Sequence, residues 1–420
     1  METGDRKRFE PGRGALTTLV LVAMLNVMSG AAVAPALPAI SEAFDASETI
    51  VSLVITLPSL AVVISGFFVG AIADRVGKAR TLVVSLAVFT ATGLWGVAAP
   101  TLESLLVGRF ILGIAIAGIV TSSTALASEY YDESTLARVY GWQSAASGAS
   151  VLILETTGGF LSLLGWHAPF WVYVVGFVLL ALSALFIREA HHPSAEREQP
   201  VQSDRASESI DRTGQRAGSG IARAAKIAGI SVAICLAAAF ISQVLSYLVP
   251  AKMPYLIDSF GESSLVSGLF LGAFGIANIT GSLASAPLQR RTQRSTIAAG
   301  CFVFISFGCI LMAAASAAWM VLVGIIFIGL GVGCLTPLLV GWIASRATSR
   351  NSGRHMGAIA VAVNLGQFAC TLLSGGVMAI AGTQQAVFAV AAAIGLISAA
   401  ATIALRKYID YKLTADGRRK

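Results

Sequence analysis

Two ionisable side chains stand inside long uncharged stretches of this chain: Arg109 in LLVGRFILGIAIAG and Glu155 in SVLILETTGGF. A carboxyl group in such surroundings exchanges its proton readily. Desolvation favours the neutral form while a neighbouring guanidinium favours the anion. The chemistry on offer is proton uptake and release at Glu155, tuned by Arg109. A third charged site differs in kind. The hinge GAIADRVGKAR, residues 70–80, sets Asp74, Arg75, Lys78 and Arg80 between two apolar runs. A carboxylate and a guanidinium there can pair and separate as larger elements move, and Gly70 and Gly77 permit close approach and a tight turn.

The elements that must position these groups follow from composition. Soluble domains are about a quarter charged; this chain is 12% charged and 56% hydrophobic. Stretches able to cross ~30 Å of hydrocarbon with about 20 residues indicate a polytopic membrane protein, and spans of that length in lipid must be helices. Twelve such segments are expected, near 15–39, 50–72, 81–99, 102–126, 139–164, 168–188, 225–250, 263–286, 296–316, 318–343, 356–381 and 384–405. The fold class is therefore an all-α membrane protein with two pseudo-symmetric six-helix bundles, 15–188 and 225–405. The rest divides into a cytoplasmic head (1–14), a cytoplasmic linker without regular structure (189–224) and a cytoplasmic tail (406–420). The linker contains the polar stretch HHPSAEREQPVQSDRASESIDRTGQRAGSG, which has no apolar period. The first span, although preceded by Arg6, Lys7, Arg8 and Arg13, is too long for a secretory h-region and is read as uncleaved.

The net charge of +7 is a matter of topology, not of nucleic acid. With the N-terminus inside, all 29 Lys and Arg except Arg109 and Lys252 fall in the head, the inward loops, the linker or the tail. Lys252 is placed at the outer end of the seventh span, which leaves Arg109 and Glu155 as the two deep charges. Counted from the span ends at 1.5 Å per residue, both lie roughly 12–14 Å below the outer surface. At that depth they pair if their helices are neighbours. Either one costs about 2.5–3.5 kcal/mol at mid-bilayer, so function is the default explanation. Ser144, Gly148 and Gly159 are expected to leave room for water or ligand beside Glu155. The five cysteines all fall within spans and are expected to be free thiols. His167, His191, His192 and His355 have no metal-ligand spacing, and neither metal nor cofactor is expected. An embedded enzyme would need a nucleophile–base set or a phosphate-binding loop, and neither motif is present. A channel would be expected to show filter segments rather than duplicated halves.

The halves match at an offset of about 216 residues. Gly108 and Gly113 correspond to Gly324 and Gly329, Arg138-x-x-Gly141 to Arg354-x-x-Gly357, and Gly158-Gly159 falls within one position of Gly375-Gly376. A duplicated six-span unit suits a secondary transporter whose halves rock about a central cavity. The hinge at 70–80 resembles the G-x-x-x-D-R-x-G-R/K-x-R/K signature of the major facilitator superfamily, with Gly70, Asp74, Arg75, Gly77, Lys78 and Arg80 all in place. That resemblance implies a cytoplasmic gate at this loop. Gly108-Arg109 with its following glycines is similar to the family's fourth-helix motif, which implies that Arg109 takes part in proton coupling; Glu155 is taken as the proton carrier.

NVMSGAAVAPALPAI in the first span and GWHAPFWVY before the sixth are similar to the drug-exporting branch of that family. The fifth helix departs from the branch pattern G-x-x-x-G-P-x-x-G-G: it keeps Gly158-Gly159 but has Leu154-Glu155 for Gly-Pro and Ser150 for the earlier glycine. The reading that follows is a proton-coupled exporter of amphipathic small molecules, acting as a monomer in the cell membrane with both termini cytoplasmic. The alternatives are an importer of a small organic solute by proton symport, or a non-transporting sensor on the same scaffold. Asn26, Gln143, Phe240, Gln243, Tyr247, Phe274, Asn278, Asn364 and Gln367 are the expected cavity lining, apolar with a few hydrogen-bonding groups. Asn364, Gln367 and Thr371 share one helical face.

Overall fold

The computed structural model describes residues 11–189, 214–344 and 352–417; residues 1–10 of the expected head, 190–213 of the expected linker and 418–420 of the tail lie outside them. The described residues form twelve helical segments and no strand. They are α1 (Arg13–Ala43), α2 (Glu48–Val76), α3 (Lys78–Ala98), α4 (Leu102–Tyr130) and α5 (Glu133–Ser162). Then come α6 (Ala168–Phe186), α7 (Gly214–Asp258), α8 (Ser264–Arg291), α9 (Arg294–Ala313), α10 (Ala318–Ala344), α11 (Ser352–Ala381) and α12 (Gln384–Gly417). Eleven are long and apolar enough to cross a bilayer. The exception, α5, is 30 residues long but carries Gln143, several hydroxyls and Glu155. Large apolar side chains such as Phe67 and Ile380 stand almost fully exposed on the outer surface, where lipid rather than water suits them.

Pseudo-symmetry shows in the packing. The pairs α2–α4, α3–α4, α3–α6 and α1–α5 recur as α8–α10, α9–α10, α9–α12 and α7–α11. The matched glycines sit in matched contacts: Gly113 lies against Pro58 and Ala61 of α2, and Gly329 against Phe274 and Ala277 of α8. The halves meet along α5–α8, α2–α11 and α1–α7. A Cβ on Gly159 would come within 2.8 Å of Gly268 Cα, and one on Gly158 within 2.7 Å of the Ala32 carbonyl carbon. The expected room beside Glu155 at Gly159 is therefore filled by α8.

Two boundaries differ from the sequence reading. Helix α7 begins at Gly214, inside the expected linker, and continues through Pro250 and Pro254 to Asp258, past the expected end at 250. Proline removes a donor, but a neighbouring helix can re-satisfy the freed carbonyl in a membrane bundle. Lys252, expected at the outer end of the seventh span, consequently lies inside α7 and is fully buried. Helix α12 likewise runs on through most of the expected tail. Helix α1 is broken instead of continuous: Pro35 and Pro38 lie in a 3₁₀ turn and a restarted helix. All five cysteines are buried and none is in a disulfide.

Candidate functional site

Prolines prepare the setting of Arg109. The α-helical partner of Val54 O would be the N–H of residue 58, but residue 58 is proline. In α1 the helix tightens at its break: Val33 N–H bonds Gly30 O at 3.2 Å, so Ser29 O lacks its usual helical donor. The Arg109 guanidinium takes both carbonyls. Nε donates to Val54 O at 2.7 Å, Nη1 to the Tyr173 hydroxyl at 2.7 Å, and Nη2 to Ser29 O. The rings of Phe170 and Tyr173 lie 5.8 and 5.7 Å from its carbon centre. One fully buried arginine thus ties α4 to α1, α2 and α6. It makes no ion pair with Glu155 in this conformation, so the pairing that matching depths would allow does not form: its donors go to α1, α2 and α6.

Glu155 belongs to another surface. It is buried, its backbone carbonyl pressed against Gly268 of α8, and its Oε2 finds no hydrogen-bond partner. The carboxyl borders a cavity of about 530 Å³ between the bundles. Asn26, Gln243, Tyr247, Phe274, Asn278, Asn364 and Gln367 line the same space, as expected, and among the described residues Glu155 is the one charged residue in its wall. Gln143 and Phe240 do not reach it. Gln143 donates instead to Leu19 O at 3.0 Å, pinning α5 to α1, and Phe240 is packed against the apolar core. Thr371 is not in the wall and is hydrogen-bonded to Thr56 at 2.8 Å. Ser59, Ser246 and Thr336 join the wall, with Pro58, Pro250 and Pro337. Sequence reading passed over them; the signal available was prolines inside apolar spans.

The cross-bundle hydrogen bonds recorded among the described residues lie towards one side. They run from Tyr247–Ile55 and Ser59–Gln367 at mid-depth, through Thr56–Thr371, to Tyr255–Leu37, Ser264–Gly159 and Glu48–Lys252. All lie towards the face opposite the basic loops. The signature loop is on the basic face. Asp74, Arg75 and Arg80 are exposed, and the other contacts of the loop stay within the N-terminal half. Lys78 pairs with Glu129 of α4. The Glu189 carboxylate accepts from the N–H groups of Lys78 (2.7 Å) and Ala79 (3.0 Å), an anion at the start of α3. Glu189, assigned to the linker from sequence, therefore has a fixed place. Gly77 makes this possible: its φ is +108°, and a Cβ there would lie 2.7 Å from a Glu189 oxygen. Gly77→Ala is expected to cost about 1–3 kcal/mol, seen as a lowered unfolding temperature of the purified protein, and Glu189→Ala about 1 kcal/mol.

Two six-helix bundles around a shared cavity of mixed lining, bridged by hydrogen bonds towards the face opposite the basic loops, have the architecture of a membrane transporter. The profile of the Major Facilitator Superfamily matches residues 19–293 and 232–418, and the chain belongs to that family; it is a transporter and not an enzyme. It is 27% identical over 376 residues to the tetracycline resistance protein, class G, of Vibrio anguillarum, covering 85% of this chain and 88% of that one. The class C protein of Escherichia coli is 25% identical over 362 residues, covering 84% and 86%. The multidrug efflux pump LfrA of Mycolicibacterium smegmatis is 28% identical over 190 residues, covering 44% and 38%. Among solved structures, a D-xylose–proton symporter superposes with a TM-score of 0.74 at 14% identity (93% and 97% covered). The nucleoside transporter NupG gives 0.73 at 12% (93% and 99%). These two share the fold.

Proposed function

We propose that this chain is a proton-coupled exporter of amphipathic small molecules working by alternating access. The observation that carries the reading is Glu155: a buried carboxylate with an unpartnered oxygen on the wall of a cavity otherwise lined by uncharged groups. A group so placed accepts a proton without reorganising a salt bridge, and its neutralisation changes the polarity of the cavity it faces. The resistance proteins that match most of the chain support export, and the amide-and-aromatic lining suits amphipathic ligands.

With the basic face cytoplasmic, the termini lie inside the cell and the sealed face lies outside the cell membrane. In this conformation the cavity takes up substrate from the cytoplasm. Segments 15–188 and 225–405 then rock as two bodies in a single monomer, and the loop at 70–80 closes the cytoplasmic side. Asp74 and Arg75, free of the other half here, engage it when that side shuts. Asp74→Asn is expected to slow turnover about tenfold if the lost contact is worth about 1.4 kcal/mol in the limiting state; initial rates of transport in liposomes check this.

The Leu154-Glu155 pair standing where exporters of this pattern carry Gly-Pro favours a second reading, import by proton symport. Purified protein in liposomes with an imposed pH gradient, screened for ligand-stimulated proton movement, separates the two. Protons entering as substrate leaves support export, and movement of both in the same direction means import.

A further inference from the structure

On the sealed face one carboxylate joins three helices of both halves. Glu48, in the first turn of α2, lies 3.4 Å from Lys252 Nζ of α7 and accepts from Gln384 Nε2 at the start of α12. Below it Ser52 Oγ lies 3.4 Å from Ala251 O. The ammonium also sits 5.5 Å from the Tyr255 ring, and the Tyr255 hydroxyl donates to Leu37 O at 3.3 Å. The two charges are unequally buried: the Lys252 side chain is 0% exposed and that of Glu48 30%. Glu48 borders an outer vestibule of about 800 Å³ whose wall also holds Glu42, Asp45, Asp258 and Glu262.

We infer that Glu48 and Lys252, braced by Gln384, are the latch of the outer gate, and that the buried lysine holds that gate shut only while Glu48 is in place. The inequality of burial gives the latch its direction. Without Glu48 the closed state contains an uncompensated buried cation, a large penalty. The open state, in which α2 and α7 part, hydrates Lys252 beside a wall of acids and escapes the penalty. Without Lys252 the closed state keeps only a half-exposed carboxylate, which water and Gln384 satisfy. Loss of the acid therefore opens the gate far more than loss of the base, and loss of both restores closure. A contact that merely holds helices together would be weakened alike from either end.

The assignment rests on the alternating-access part of the preceding reading and on neither proton coupling nor direction. Its test needs no substrate and no gradient, so a failure here leaves the exporter reading untouched. Ser52→Cys places a thiol directly under the latch, at a fully buried position. Its reaction with a water-soluble maleimide is followed in nanodiscs, with the protein lacking the added thiol as background. Adding Glu48→Gln is expected to raise the labelling rate about tenfold or more. Lys252→Met should raise it less than about threefold, and the double variant should return to within about threefold of the parent. Unchanged labelling in Glu48→Gln, equal acceleration in both single variants, or a double variant as fast as Glu48→Gln would each overturn the assignment. Should Glu48→Gln not accumulate, Gln384→Met, which removes the brace alone, is expected to speed labelling about twofold to threefold; no change would overturn it too.

Discussion

Replacing Glu155 by glutamine is expected to reduce pH-gradient-driven accumulation to the level of protein-free liposomes while leaving substrate exchange in the absence of a gradient intact. Glutamine has nearly the same shape and keeps hydrogen-bonding capacity toward the cavity, but it has no proton to give or take. The Glu155 oxygen without a partner means that no ion pair is broken by the change, so the usual penalty for stranding a buried charge does not arise. Thermal stability should therefore be unchanged or higher. That combination, lost coupling with kept stability and kept exchange, is what distinguishes a proton carrier from a packing residue. Accumulation that persists in Glu155→Gln would remove Glu155 from the coupling mechanism. Loss of exchange as well would make it part of the substrate route instead.

Glu155 could be found from sequence because a lone acid in an apolar helix has few innocent explanations. The twelve spans and the duplication were legible for a similar reason: length without charge, and glycines at a fixed offset, survive without knowledge of packing. What was not legible depends on neighbours. Gln143 and Asn26 look alike in sequence, yet one pins α5 to the backbone of α1 and the other faces the cavity, because only the rotation of each helix within the bundle decides. Lys252 was placed at the span's outer end because the apolar run gives out near residue 250, whereas α7 runs on through Pro250 and Pro254. Once the span is extended, the lysine is buried and needs Glu48, a partner roughly two hundred positions away in sequence. The expected pairing of Arg109 with Glu155 came from matching depths alone. Depth does not fix azimuth, and the two side chains point into different surfaces.

Arg109→Met is expected to destabilise the protein by several kcal/mol. It orphans the Val54 carbonyl and leaves Ser29 O and the Tyr173 hydroxyl with only the 3.4 Å contacts between Tyr173 and the Met28 and Ser29 carbonyls; each buried group left unpaired costs about 1–3 kcal/mol. Arg109→Lys should do little better, since one ammonium cannot reproduce a planar fork with three separate acceptors. The structure also specifies a partial rescue. In Arg109→Met/Pro58→Ala the N–H of residue 58 is restored and can return to Val54 O, so about 1–3 kcal/mol of the loss should be recovered, measured as the unfolding temperature of the purified variants. The C-terminal half shows why such a rescue is reasonable. By the 216-residue offset the position of Pro58 is Phe274 and that of Arg109 is Ile325, which is fully buried. Where the proline is missing, the arginine is missing as well, and an apolar side chain fills the site. A double variant no more stable than Arg109→Met would show that Val54 O is not what Arg109 is there to satisfy. If stability returns while gradient-driven transport does not, Arg109 has a second role in coupling that its hydrogen bonds alone do not express. Return of both would make it a brace that holds α1, α2 and α6 around the cavity, leaving the proton to Glu155.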